Sequence, residues 1–418
     1  MIHAPEITLT TDQQDALEAF HRFLLDPTET VFVLSGYSGC GKSTLVRTLL
    51  DKIPGYIKSA SLINPEQCEY KVELTATTNK AAENLGQITG EDVGTIHSFL
   101  GLRVQTDYQT NTSRLIARNS EVKTGYILFI DEASYIDSQL LGYIFQLTKH
   151  CKIVFVGDPA QLTPVKSNGT PVFNASFSGA ALTSVVRQAA GNPIVDLSTK
   201  FRNTVNSGEF FKFKPDGHHV KYLEREAFNQ AIAAEFSRPD WRYSDSKILG
   251  WTNKCVIAFN QFVSNHVKGD PHFQVGDYAV CNSFFNQGKK SLKTEQLVQI
   301  TGISSDLECL GVEGNNFSIN NEFAAFMPKT LQAKNARIKL ARSQNELHLV
   351  GEIEERWIDL RAVYACTINK AQGSTFDQVF IDLDDISRCN SGDQIARMLY
   401  VAVSRARNHV YLTGDLVN

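Results

Sequence analysis

The sequence predicts an α/β fold built from two parallel-sheet domains, and three observations point to it. Short apolar runs ending in Gly, Asp or Glu recur early: "VFVLSG" (31–36), "YILFIDE" (126–132) and "KIVFVGD" (152–158). Strands covered on both faces read as such runs, and the helix-like stretches between them give a parallel sheet. The pattern then returns in "SKILGWTN" (246–253), "AVYACT" (362–367), "QVFIDL" (378–383) and "HVYLTG" (409–414), a second sheet. Finally, 418 residues exceed the size at which one hydrophobic core stops growing. The expected domains are 1–180 and 181–418.

In chain order, "TDQQDALEAFHRFLL" (11–25) puts Ala16, Leu17, Phe20, Phe23 and Leu24 on one helical face, with Thr10 or Thr11 as N-cap. Two stretches break the strand–helix alternation. Residues 103–118, "RVQTDYQTNTSRLIAR", are polar and centred on a turn-like "QTNTS", which predicts a hairpin inserted at about 101–120. The pieces "DYAVCN", "QLVQITGI", "LECLGVEG" and "NFSIN" predict a small all-β insertion at about 268–355.

Composition limits the alternatives. Apolar residues at 42% and charged residues at 21% describe an ordinary globular chain. No apolar run is long enough to span a bilayer and no signal-peptide pattern opens the chain, so no membrane partner and a cytoplasmic location are expected. The eight cysteines include no C-x-x-C pair, which argues against a zinc site and a disulfide framework. A net charge of −4 gives no global attraction to nucleic acid, so any such contact needs a locally arranged groove.

"GYSGCGKST" (36–44) fits G-x-x-x-x-G-K-[ST] between a predicted strand and a predicted helix, the context of a P-loop. Gly36, Gly39 and Gly41 let backbone N–H groups curl around phosphate, and the helix start at Ser43 and Thr44 adds its positive end. Lys42 reaches the β- and γ-phosphates of ATP, and Ser43 supplies a hydroxyl to Mg²⁺. In "ILFIDEAS" (127–134), Asp131 holds Mg²⁺ through water and Glu132 takes a proton from the attacking water. Gln161 in "VFVGDPAQLTPV" (154–165) is placed to sense the γ-phosphate, on a turn made by Asp158-Pro159. Cys40 is a small residue in the loop, not a nucleophile.

With these blocks stand "LTTDQQDAL", "TATTNKAAENL" (75–85), "TIHSFL" (95–100), "LTSVVRQ" (182–188), "GWTNKCV" (250–256), "TINKAQGSTFDQV" (367–379) and "YVAVSRA" (400–406). In content and order the chain resembles superfamily-one DNA helicases of the RecD-like branch, most of all its phage Dda-type members. The likeness runs from Leu9 to Tyr411. It implies two RecA-like domains, a strand-splitting pin in the hairpin and an SH3-like fold in the β-rich insertion. It implies ATP hydrolysis coupled to unwinding, 5′ to 3′, by a monomer-competent enzyme on single-stranded and forked DNA. Replication, repair or recombination would be its setting, in a host cytoplasm if phage-encoded. Single-strand-binding or replisome proteins are further candidate partners.

The resemblance also assigns residues. Gln13 matches the adenine-reading glutamine, and Gly373 falls in a nucleotide-contacting block. Arg405 matches an arginine directed at the γ-phosphate from the second domain, and Arg187 a second arginine of similar use. Arg407 has no such counterpart and reads as a surface or salt-bridge residue. Thr78, His97 and Ser98 on the first domain, and Asn253, Thr367, Lys370 and Gln372 on the second, would line the strand. Tyr108, near the hairpin tip, would stack on the first base pair. Asn369 stands where the family usually has His, and Ser404 where it has Thr; the first departure bears on DNA grip rather than on chemistry. Two alternatives stay open: a DNA-stimulated translocase that displaces proteins without unwinding, and a P-loop small-molecule kinase.

Overall fold

A computed structural model describes residues 9–63, 70–107, 112–117, 121–163, 170–184, 191–270, 272–288 and 290–416. The chain divides into two compact units. The first comprises Met1–Arg103, Leu115–Lys212 and Ala396–Ser404; the second comprises Val104–Arg114, Phe213–Ile395 and Arg405–Asn418.

The first unit is built on β1 (Val31–Gly36), β2 (Lys71–Ala76), β3 (Gly94–Thr95), β4 (Tyr126–Asp131), β5 (Lys152–Gly157) and β6 (Ser178–Leu182). Their order is β6-β1-β5-β4-β2-β3, every pairing parallel. Alternation along β1 serves two cores. Phe32 and Leu34 pack with Phe20, Leu49 and Phe129, whereas Val31 packs with Ile130, Ile144 and Phe155. Both faces of a parallel sheet are thereby covered. Lys152 is buried in β5 because its ammonium donates to the carbonyls of Phe23, Asp26 and Glu29, at 2.9, 2.5 and 2.5 Å.

Helix Thr11–Leu25 buries all five residues of its expected apolar face, and Thr10 and Gln13 close a capping box at its start. The first unit runs on to Lys212, so 181–212 lies with it rather than with the second domain. Pairing of Ser178–Leu182 with β1 carries the sheet past residue 180, and helix Pro193–Ser207 follows within the same unit. Leu102–Asp107 and Thr112–Ala117 pair with each other; Tyr108 lies outside the described residues.

The second unit contains β7 (Val220–Tyr222), β8 (Ser246–Gly250), β9 (Tyr278–Cys281), β10 (Leu297–Cys309) and β11 (Val312–Ile319). It continues with β12 (Phe323–Pro328), β13 (Leu360–Ala362), β14 (Ala365–Thr367), β15 (Phe376–Asp382) and β16 (Ala406–Thr413). One sheet is parallel, ordered β7-β16-β15-β8-β14. The other is antiparallel, ordered β12-β11-β10-β9-β13.

Two expectations need correction here. The insertion at 268–355 is not all β: helices Leu331–Ser343 and Leu347–Arg356 lie within or against it. Thr330 caps the first by accepting from the Ala333 N–H, and its Ala, Lys, Arg and Leu content favours helix. The run at 362–367 is not one strand, because the chain bends at Val363 and Tyr364. Ala362 ends β13 in the antiparallel sheet, and Ala365 starts β14 in the parallel one. Among the described residues no helix is long and apolar enough to cross a membrane.

Candidate nucleotide and strand sites

The phosphate loop leaves β1 at Gly36 and enters helix Lys42–Ile63. A Cβ at Gly36 would lie 2.6 Å from the Cys40 sulfur and 2.9 Å from the Leu182 Cβ, so only glycine fits. Gly39 and Gly41 sit at φ 84° and 81°, the left-handed region that turns their amides inward. Lys42 donates to the carbonyls of Gly36 at 2.7 Å and Tyr37 at 3.1 Å, holding its ammonium over the loop. Ser43 and Thr44 occupy the first turn of the following helix. Burial pushes the Cys40 thiol above its usual pKa, which suits an inert residue.

Gln13 is buried, and its amide is engaged within the protein. Its nitrogen donates to the Cys40 carbonyl at 3.1 Å, and its oxygen accepts from the Thr10 N–H at 3.0 Å. The structure thus ties Gln13 to the phosphate loop. Its neighbour Asp12, which sequence reasoning missed, accepts from the N–H groups of Thr183 and Ser184, both at 2.8 Å. Desolvation opposes the effect, but these bonds and the Thr10 hydroxyl hold Asp12 down at about 2. Arg187, three residues further on, lies outside the described residues.

Asp131 ends β4, two strands from β1, and accepts from the Glu132 N–H at 2.8 Å. Desolvation, and then the Glu132 carboxylate beside it, push Asp131 above the usual carboxylate range. Glu132 itself has φ 54°, rare for a non-glycine residue and concentrated at functional sites. A half-buried carboxylate crowded by a second one is an arrangement that a divalent cation relieves. With the Ser43 hydroxyl it provides the hard oxygen donors that Mg²⁺ takes, so the residues present fit that ion.

The loop after β5 is wired to the C-terminal segment Ala396–Ser404 of the same unit. Tyr400 is buried; its hydroxyl donates to Asp158 Oδ2 at 2.5 Å and accepts from the Ser38 N–H of the phosphate loop at 2.9 Å. Asp158 also accepts from the Ala160 N–H at 2.9 Å and lies 3.5 Å from the Gln161 amide nitrogen. Arg397 donates to the carbonyls of Pro159 and Gln161, at 2.7 and 2.8 Å. Gln161 is therefore buried and fixed from both sides. Arg397 and Tyr400 were not singled out from sequence, and Asp158 only as a turn residue; the signal for Asp158 and Tyr400 is that the GDPAQL and YVAVSRA blocks occur together. A further cation, Arg202, stacks 3.8 Å over the Tyr37 ring.

In the second unit Arg405 is buried, and its guanidinium donates to the Ser374 carbonyl at 3.1 Å. That places it beside Gly373, whose φ is 79°. Arg407 is exposed and pairs with Asp377 at 3.2 Å, in keeping with a salt-bridge role.

The residues expected to line a strand follow the C-terminal ends of parallel strands, where ligands bind open α/β sheets. Thr78 follows β2 and accepts from the Ala81 N–H at 3.2 Å as a helix cap. His97 and exposed Ser98 follow β3; burial holds the His97 ring below its usual pKa, with Asp137 opposing, which favours the neutral imidazole. Exposed Asn253 follows β8 at the start of helix Asn253–Phe262. The loop before it is pinned by buried Asp385, which accepts from the N–H groups of Trp251 and Thr252 at 2.7 and 2.8 Å. Thr367 caps helix Ile368–Ala371, Gln372 is buried, and Lys370 is already paired inside the unit.

A phosphate loop and a carboxylate pair at the ends of parallel strands in one sheet define a P-loop nucleotide-binding α/β protein. The family described as "AAA domain" matches residues 8–223, and that described as "UvrD-like helicase C-terminal domain" matches 362–413. The ATP-dependent RecD2 DNA helicase of Deinococcus radiodurans is 24% identical across 92% of this chain and 47% of its own length. The ATP-dependent DNA helicase dda of Enterobacteria phage T4 is 23% identical across 96% of this chain and 98% of its own. The chain thus spans about half of the first relative and nearly all of the second. The Pif1 helicase from Bacteroides solved with ADP-AlF3 and ssDNA matches at TM-score 0.54 and 17% identity, over 99% of this chain and 94% of that one. The chain belongs to the AAA-domain family and is similar to superfamily-one helicases of the RecD, Dda and Pif1 kind.

Proposed function

We infer that the chain is an ATP-dependent DNA helicase that turns ATP hydrolysis into travel along single-stranded DNA. The observation that carries this is the wiring of Tyr400 to both Ser38 and Asp158. It joins the YVAVSRA block, which contains Arg405, to the phosphate loop and the Gln161 loop.

In this reading the amides of the phosphate loop and Lys42 cradle the triphosphate, with Gln13 at the adenine side and Gly373 in the second domain's contact. Ser43 and Asp131 would hold Mg²⁺, which supplies charge neutralisation between the phosphates when bound. Glu132 takes the proton of the attacking water, and its constrained backbone fixes the direction of its carboxylate. Arg405 and Arg187 stabilise the charge that develops on the transferred phosphoryl group. Gln161, held by Arg397 and Asp158, reports the state of the site to the loop that carries it. Thr78, His97, Ser98, Asn253, Thr367, Lys370 and Gln372 supply the strand contacts, by hydrogen bonds to the backbone without sequence preference.

The finer reading is of two RecA-like domains, the first running past the expected boundary at 180 to Lys212, with a pin at about 101–120 tipped by Tyr108. The antiparallel sheet then plays the part of the SH3-like subdomain. Polarity is 5′ to 3′, the setting is replication, repair or recombination, and single-strand-binding proteins are candidate partners in the cytoplasm. The test is strand separation on duplexes with a 5′ or a 3′ single-stranded tail. Unwinding from the 5′ tail alone supports the reading; unwinding from the 3′ tail reverses the polarity, and separation of neither refutes it.

A further inference from the structure

Lys370, one of the strand-binding residues proposed above, is not a free cation. Its ammonium donates to Asn282 Oδ1 at 2.7 Å and lies 2.6 Å from Glu295 Oε1. The second contact is an ion pair without hydrogen-bond alignment, since that oxygen has no geometrically formed donor. Asn282 turns its amide nitrogen to Asp359 at 2.8 Å, and Asp359 pairs with Arg361 at 2.7 Å. The row Lys370, Glu295, Asn282, Asp359 and Arg361 therefore carries two positive and two negative charges. It links helix Ile368–Ala371, in the block expected to touch the strand, to residues flanking β9 and β13 of the antiparallel sheet.

Glu295 reaches this position at a cost. Its φ is 67°, in the left-handed region that glutamate rarely adopts, and its N–H donates to the Cys281 carbonyl at 2.8 Å. Asn282 and Lys370 could bond to each other without it. Both members of the ion pair are about a third exposed, at 32% and 30% of the side chain, so the pair is not sealed in the core.

We propose that Glu295 is a positioning residue for DNA binding: it neutralises Lys370 in the resting protein and must yield to a strand phosphate. The inference rests on the helicase reading given above. A phosphate docking at a neutral pair releases no counterion there, whereas docking at an unpaired lysine releases about 0.7 per single-strand phosphate. Glu295 thus weakens resting affinity, and its displacement lets strand binding be felt in the antiparallel sheet through Asn282 and β9.

The test is equilibrium binding of a fluorescent oligothymidylate across a salt series, by anisotropy. The full chain is compared with Glu295→Gln, Lys370→Ala and the double variant. Glu295→Gln is expected to bind about fivefold tighter at low salt, the scale of a partly exposed ion pair, with a log–log salt slope steeper by about 0.7. Lys370→Ala in the same chain should erase both gains. Glu295→Asn, which suits the left-handed backbone, gives the same readout if the Gln variant folds poorly. An unchanged slope in variants that fold, or a gain that survives Lys370→Ala, overturns the proposal. Absence of binding by every protein, the parent included, removes the helicase reading itself and the role of Glu295 with it.

Discussion

Tyr400→Phe is the most revealing single substitution in the nucleotide-binding unit. It deletes one oxygen and leaves the ring, buried at 2% exposure, in place. That oxygen serves two partners: it donates to Asp158 at 2.5 Å and accepts from the Ser38 N–H at 2.9 Å. Asp158 is fully buried, so no water replaces the lost donor. Loss of a short bond to a buried carboxyl group, together with the bond from the Ser38 N–H, costs about 2–3 kcal/mol. For a unit of this size that is a fall of roughly 5–10 °C in melting temperature. Because Ser38 belongs to the phosphate loop, KM for ATP should rise more than kcat falls. Differential scanning fluorimetry with and without ATP, and steady-state turnover, read both. In a double-mutant cycle with Asp158→Asn, the two substitutions should be non-additive by more than about 1 kcal/mol. A variant melting within a degree of the parent, with unchanged KM, would refute the claim that this hydroxyl joins the two loops.

Lys42→Ala should abolish ATP turnover in a protein that still folds, read by a coupled phosphate-release assay. Arg405→Ala should slow turnover by about 10³–10⁵ while nucleotide still binds; near-normal turnover contradicts its role at the phosphoryl group. Asp12 is held at about 2 against an ordinary 3.8, so its stabilisation is complete above pH 4 and disappears as pH falls through 2. Asp12→Asn should therefore cost about 1 kcal/mol at neutral pH, after allowance for solvent screening, and flatten the melting-temperature profile between pH 4 and 2. Tyr108→Ala should lose forked-duplex unwinding yet still displace streptavidin from a biotinylated strand; equal loss of both activities argues against a pin.

The parallel sheet was legible because its strands carry their own signal. Val31–Gly36 was located to the residue, and β4 and β5 to within one, since each is an apolar run closed by Gly or Asp. Lys71–Ala76 and Ser178–Leu182 were harder. "KVELTA" is polar for half its length, and "SGAAL" is an edge strand that has only one neighbour. The two helices at 331–356 were masked by the β-like pieces before them, although Thr330 and the Ala–Lys–Arg content carried the information. At the nucleotide site the motif residues were readable because their spacing is local. Tyr400, Asp158 and Asp12 were not, because their partners lie 362, 242 and 171 residues away in sequence. The pairing of Lys370 with Glu295 was equally hidden. It depends on a left-handed glutamate that no local pattern announces.

ATP turnover of the unmodified chain, measured with and without single-stranded DNA, tests the account most directly. A low basal rate is expected, rising many-fold when an oligothymidylate is added, through an ordered Glu132, Gln161 and Arg405. Turnover that is brisk without DNA and indifferent to its addition would contradict it, leaving a P-loop enzyme with another substrate.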